Sequence, residues 1–264
     1  MKKIMCSLIG IAFIFSVTAQ DSISIKQAES NVKTLSILWQ QHAAEYRALC
    51  YQAFNLAALR LSEAVKEKKN GDQLAIITDL DETILDNSYS EAKLIKEGKS
   101  YTPASWKEWT NKSAATGVPG AAEFLQNAKQ KGVSVFYISN RDTSDRQSTL
   151  RNLQNLHLPD ADLTHMLFRT NTSSKESRRI TVMDKYKVIM LLGDNLGDFM
   201  EVFDGKNTAV RKTETDKVQN EWGRKFIVLP NPVYGEWENA LYDYDRTLTP
   251  VQKDAKRKQK LIAY

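Results

Sequence analysis

Cysteine is almost missing from this chain. Cys6 and Cys50 are the only two, and Cys6 lies in an N-terminal stretch with the marks of a secretory signal peptide. Lys2 and Lys3 supply its positive start, residues 4–15 are mostly apolar, and Val17-Thr18-Ala19 ends in a small residue. Cleavage near Ala19 would leave Cys50 alone, so the mature chain could form no internal disulfide. A domain of about 245 residues can rely on its core instead. No cysteine follows the apolar run, which argues against a lipid anchor. The run is also too short for a comfortable membrane span, although an uncleaved anchor is the alternative reading. The expected location is the periplasm or the medium, with no stable membrane attachment after cleavage. A large charge excess is missing too: the formal net charge is +5, and losing Lys2 and Lys3 would lower it to +3. That balance favours small anions slightly and does not indicate a nucleic-acid polymer as partner. There is no internal repeat and no low-complexity tract.

What is present is an alternation of short apolar runs and helical patterns. Residues 25–69 repeat Val32, Leu35, Leu38, Trp39, Tyr46, Leu49, Phe54, Leu61 and Val65 at three- and four-residue steps, which predicts one long helix or two. Cys50 falls on this pattern and is expected to be packed; His42 is expected to be a surface or satisfied histidine rather than a ligand. Strands are predicted from Leu74 to Asp79 and at 133–138, 163–168, 188–192 and 226–229, with helices between them. Such a pattern defines an α/β fold with a doubly wound, mainly parallel sheet. The division expected is a helical segment over 20–71, a core over 72–235 carrying a helical insertion at about 88–118, and a C-terminal segment over 236–264. The basic stretch from Arg246 to Lys260 reads as a solvated terminal helix.

In parallel sheets ligands bind beyond the carboxyl ends of the strands. Three predicted strands end there in polar clusters: Asp79 with Asp81, Ser139 with Asn140, and Asp194 with Asp198. Alone, Asp79-Leu80-Asp81-Glu82-Thr83 also fits an acidic surface turn. Were the strand to continue, both carboxylates would point the same way and would repel unless a cation or a proton sat between them. Asp79 and Asp194, with a backbone carbonyl near Asp81, make an oxygen set suited to Mg²⁺. A phosphate monoester would complete such a site, with Ser139, the Asn140 backbone N–H and a lysine, for which Lys175 is the choice, facing the phosphoryl oxygens.

Asp79-Leu80-Asp81-Glu82-Thr83, Ser139-Asn140-Arg141, Lys175 and Gly193-Asp194-Asn195-Leu196-Gly197-Asp198-Phe199 resemble, in order, the four motifs of the haloacid dehalogenase (HAD) superfamily. The first and last, in their longer form, resemble the bacterial class C acid phosphatases, the lipoprotein e group. The likeness runs from about Ala44 to Trp237. It implies a HAD-like core and an Mg²⁺-dependent phosphatase acting on nucleoside monophosphates and other organic phosphomonoesters, and it implies a homodimer. It assigns Asp79 as nucleophile, Asp81 as proton carrier, Asp79, Asp81 and Asp194 to the metal, and Asp198 to support of the metal site or of Lys175. Thr83 would brace the loop, and Glu82 and Arg141 would support loops or line the entrance. Trp106, Trp109 and Tyr234 are the aromatic candidates for the substrate wall. Two features depart from the family pattern: Tyr89 sits one residue closer to the motif, and Thr78 replaces an apolar residue before the nucleophile. A phosphotransferase on the same scaffold and a nucleotide-binding surface protein without turnover are the competing functions.

Overall fold

A computed structural model of the chain describes residues 32–264. The expected signal peptide lies outside the described residues, as does the start of the first predicted helix. The N-terminal helical pattern resolves into two helices, α1 over 32–42 and α2 at Ala44–Lys66, broken at the extended Ala43. Cys50 is fully buried on α2, and burial pushes its thiol up to about 11. Among the described residues no helix is long and apolar enough to cross a membrane.

Five strands form one parallel sheet: β1 (Leu74–Thr78), β4 (Ser134–Asp142), β5 (Met166–Arg169), β6 (Lys187–Gly193) and β7 (Phe226–Val228), in the order β5-β4-β1-β6-β7. The central strand β1 is buried along its whole length, as a run of Leu, Ala, Ile, Ile and Thr requires. Successive side chains go to opposite faces. Leu74, Ile76, Val135, Tyr137, Met190 and Leu192 join the cluster under α2 and α5 (Ala121–Gln130). Ala75, Ile77, Phe136, Ile138 and Leu191 join a second cluster that includes Val182 of α7 (Glu176–Met183) and Phe199. The sheet is therefore covered on both faces. Thr78, fully buried, fits this interior because its hydroxyl donates to the Asp79 carbonyl at 2.8 Å.

The expected insertion consists of α3 (Ser88–Lys96) and α4 (Pro103–Lys112). Its base is closed by a short antiparallel ribbon of β2 (Leu85–Asp86) with β3 (Thr116–Gly117). The start of α4 is fixed by a Thr102–Ser105 capping box with Pro103 in the first turn. After β4, α6 (Arg146–Asn155) leads to β5; after β6 come α8 (Thr208–Lys217) and β7. The C-terminal segment folds as α9 (Glu236–Leu241) and α10 (Pro250–Lys260), the latter opened by a Thr249–Gln252 capping box.

Candidate active site

The polar clusters at the carboxyl ends of β1, β4 and β6 surround one cavity of about 700 Å³. Parallel pairing of β1 with β4 on one side and β6 on the other brings them together. The Asp79 N–H still follows the strand pattern and donates to the Leu192 carbonyl at 2.9 Å. Beyond it the chain turns away, and Glu82 takes a left-handed conformation with φ 63°. The Asp79 and Asp81 side chains therefore pair with different side-chain cations, Lys175 and Arg141.

Asp79 is ion-paired with Lys175 Nζ, which also reaches Asp198 Oδ1 at 2.7 Å. One oxygen each from Asp79, Asp194 and Asp198 lies within 4.8 Å of the other two. Burial pushes the Asp79 carboxyl well above the usual range, against the pull of Lys175 and with the help of Asp198, Asp194 and Asp81. Burial also raises Asp194, to about 7, with Asp198 adding to the rise and Asn231 opposing it. Burial works to lower the Lys175 pKa, but Asp198 and Asp79 outweigh it and hold the ammonium above its usual range. Several carboxylates crowded in a buried place with one lysine suit a divalent cation with oxygen preference.

The orientation of each acid is fixed from outside. Thr83 Oγ1 donates to Asp194 Oδ1 at 3.0 Å, and Asn231 Nδ2 donates to Asp194 Oδ2 at 2.8 Å. The Asn195 N–H donates to Asp198 Oδ2 at 3.0 Å. Asp198 packs directly against Gly193, where any Cβ would collide with its carboxylate, so the end of β6 must be glycine. The carboxylate set is thus Asp79, Asp194 and Asp198; the Asp81 side chain stands apart from it.

Asp81 belongs to Arg141. The buried guanidinium donates from Nε to both Asp81 oxygens at 3.1 Å and from Nη2 to Oδ1 at 2.6 Å. Asn87 Nδ2 adds a fourth hydrogen bond, to Oδ1 at 2.9 Å. Arg141 is itself held by Thr149 Oγ1 at 3.0 Å and lies 5.4 Å from the centre of the Trp106 ring. Glu82, fully enclosed, is the hub behind this loop. It accepts from Gln40 of α1 at 2.6 Å, from the Tyr234 hydroxyl at 3.1 Å and from the Asn87 N–H at 3.3 Å. Burial, with Asp86 next in effect, raises the Glu82 carboxyl to about 8.

Ser139 and Asn140 end β4 beside these acids. Ser139 is buried and its Oγ accepts the Arg141 N–H at 3.0 Å. Asn140 lines the cavity, and its side chain donates to the Ser173 carbonyl at 2.9 Å. Two arginines that the sequence reading passed over tie the loops to one another. Arg178 donates to the Ser139 carbonyl at 2.7 Å, to Asn140 Oδ1 at 2.7 Å and to the Ser174 carbonyl at 2.9 Å. Arg179 donates to the carbonyls of Gly197 at 2.7 Å and Asp198 at 2.9 Å. Both follow Lys175 by one helical turn, so α7 presents three cations on one face, a spacing that was visible in the sequence.

Of the aromatic candidates, Trp106 and Tyr234 line the cavity. Trp109 does not: its indole N–H donates to Asn87 Oδ1 at 2.8 Å and its ring packs against the core, so it acts from behind through the residue that holds Asp81. Tyr101 joins the cavity wall and was not foreseen. The C-terminal tail is not wholly solvated either, because Arg246 and Lys253 also line the cavity.

A parallel α/β core with a buried lysine among three aspartates at its strand ends defines a phosphoryl-transfer enzyme of the HAD type. The comparisons narrow that class. Residues 6–237 match the HAD superfamily, subfamily IIIB (acid phosphatase). The class C acid phosphatase from Bacillus anthracis is 38% identical, with a TM-score of 0.85 over 90% of this chain and 99% of that one. The same Bacillus anthracis enzyme with tungstate bound gives a TM-score of 0.86 at the same identity and coverage. The chain belongs to the class C acid phosphatases of HAD subfamily IIIB, and it is a phosphomonoesterase.

Proposed function

We propose that the chain is an exported, Mg²⁺-dependent acid phosphatase that hydrolyses nucleoside monophosphates through an aspartyl-phosphate intermediate. The carrying observation is the Asp79–Lys175–Asp198 arrangement with Asp194 within 4.8 Å, at the wall of a cavity large enough for a nucleotide. Asp79, Asp194 and the loop at Asp81 would hold the ion, with Asp198 supporting the site through Lys175. Bound there, Mg²⁺ supplies positive charge that offsets repulsion between the phosphate dianion and Asp79.

This chain's own residues do the rest. An Asp79 carboxylate oxygen attacks phosphorus as the bond to the leaving oxygen breaks, and Asp81 gives that oxygen a proton. Asp81 then takes a proton from water as its oxygen attacks the same phosphorus and the bond to Asp79 breaks. Lys175, Ser139 and the Asn140 N–H face the charge on the phosphoryl oxygens. Trp106, Tyr101 and Tyr234 offer rings on which a base can stack without strong preference for its identity. The tungstate-bound relative supports a place for a tetrahedral oxyanion in this fold. Export rests on the charged start, apolar run and small residue at the N-terminus.

Purified protein lacking residues 1–19 tests this with p-nitrophenyl phosphate, 5′-AMP and 3′-AMP at pH 5 to 7. Hydrolysis should stop with EDTA, return with Mg²⁺ and vanish in Asp79→Asn. Full activity in that variant would reject the covalent route.

A further inference from the structure

The C-terminal segment closes part of the cavity, and the family match at residues 6–237 ends before most of it. It is anchored rather than loose. Asp243 and Tyr244 form a left-handed turn with φ of 53° and 61°, and the Tyr244 hydroxyl donates to the Lys206 carbonyl at 3.0 Å. Arg246 follows this turn, and Lys253 rises from the start of α10, where it lies 5.7 Å from the centre of the Tyr242 ring. A cation near a helix N-terminus opposes the helix dipole, and the Tyr242 ring is the contact the fold gives Lys253.

The other cations of the cavity wall are matched with acids. Lys33 pairs with Glu91 at 3.0 Å, Arg141 with Asp81, and Lys175 with Asp79 and Asp198. Arg246 and Lys253 are the exceptions: among the described residues neither side chain is ion-paired with an acid. The acids of the same wall, Asp204 and Glu236, are not in contact with them; Glu236 accepts from Asn239 Nδ2 at 3.1 Å.

We infer that Arg246 and Lys253 form a second anion subsite, and that the preferred substrate is a phosphomonoester carrying another anionic group remote from the scissile phosphate. This rests on the phosphatase reading and narrows its substrate class. The scissile phosphate occupies the acid and lysine cluster; the second anion meets two cations without an acid partner at the exposed rim of the cavity, where the attraction is sensitive to salt.

The test compares initial rates on p-nitrophenyl phosphate, 5′-AMP and adenosine 3′,5′-bisphosphate. For the wild type, kcat/KM on the bisphosphate should exceed that on 5′-AMP by roughly tenfold or more, beyond the about twofold that two scissile groups give by number, and the advantage should shrink with added NaCl. Arg246→Ala combined with Lys253→Ala should remove the advantage, mainly through KM, and Arg246→Lys should restore part of it. Equal rates on the two nucleotides in the wild type, or an advantage that survives the double substitution, would overturn the subsite. A wild type inert toward p-nitrophenyl phosphate as well would instead overturn the phosphatase reading beneath it.

Discussion

Asp81 and Arg141 are joined by three hydrogen bonds, with Arg141 Nη2 only 2.6 Å from Asp81 Oδ1. The proton carrier of the proposed reaction is therefore oriented by a buried guanidinium whose planar fork matches its two oxygens. Giving its proton to the leaving group leaves Asp81 as the carboxylate that this fork matches, and taking a proton from water weakens the contact again. The pair fixes where the acid stands for both halves of the reaction.

Replacing Arg141 by lysine keeps the charge and loses the fork. Loss of one charge-assisted contact of about 1.5–3 kcal/mol should lower kcat by roughly 10–100-fold. The loss should be larger for alkyl phosphates than for p-nitrophenyl phosphate, whose leaving group hardly needs protonation. Steady-state kinetics on the two ester types measures that difference directly; an equal loss on both would mean that Arg141 does not act through Asp81.

Lys175→Met leaves Asp79 and Asp198 facing each other in a buried place. Breaking a buried pair from one side costs about 3–5 kcal/mol. In metal-free protein the unfolding midpoint should fall by several degrees, and phosphatase activity should drop at least 100-fold. Added Mg²⁺ should recover part of the stability and little of the activity. Thermal unfolding with and without Mg²⁺, beside a kinetic assay, checks both halves.

The Glu82 carboxyl stands at about 8 in the folded chain against an ordinary value of 4.5. Between these two values the folded state holds more protons than the unfolded one, so stability falls as pH rises. The contribution is fully present below about pH 4.5 and is lost as pH passes through 8, at a slope approaching ~1.4 kcal/mol per pH unit for one group. Glu82→Gln should flatten this part of the profile for metal-free protein between pH 5 and 8. Midpoints measured across that range would show it, and an unchanged slope would contradict it.

Cys50 is fully buried and its thiol is pushed up to about 11, chiefly by burial. Little thiolate exists at neutral pH, and a reagent cannot reach it. Protein lacking residues 1–19, in which Cys50 is the one thiol, should resist thiol labelling at pH 8 for hours, with reaction appearing on denaturant-induced unfolding. Mass spectrometry before and after urea treatment tests this.

The sheet was legible because five strands carry short apolar runs separated by helical patterns, and three of them end in polar clusters. Asp79, Lys175, Asp194 and Asp198 were legible for the same reason: motif spacing places them at strand ends or at the helix that follows. The departures arise where side-chain direction decides. A two-residue spacing pointed Asp79 and Asp81 together, but β1 ends at Thr78, and beyond it the Asp81 side chain meets Arg141. Trp109 looks like a substrate aromatic by composition, yet its indole N–H finds Asn87 behind the cavity. Glu82 and Gln40 escaped notice as a pair because nothing in a linear pattern ties residues 42 positions apart. The cavity-facing part of the C-terminal tail was hidden by its charge, which alone indicates only contact with water.

The contacts that make this site span most of the chain: Thr83 to Asp194 covers 111 positions and Glu82 to Tyr234 covers 152. An unfinished polypeptide thus carries the attacking aspartate long before it carries the groups that make it useful. Until the last strand and the loop after it have emerged, the nascent enzyme should be chemically silent, and no proteolytic fragment ending before Asn231 should hydrolyse phosphate esters.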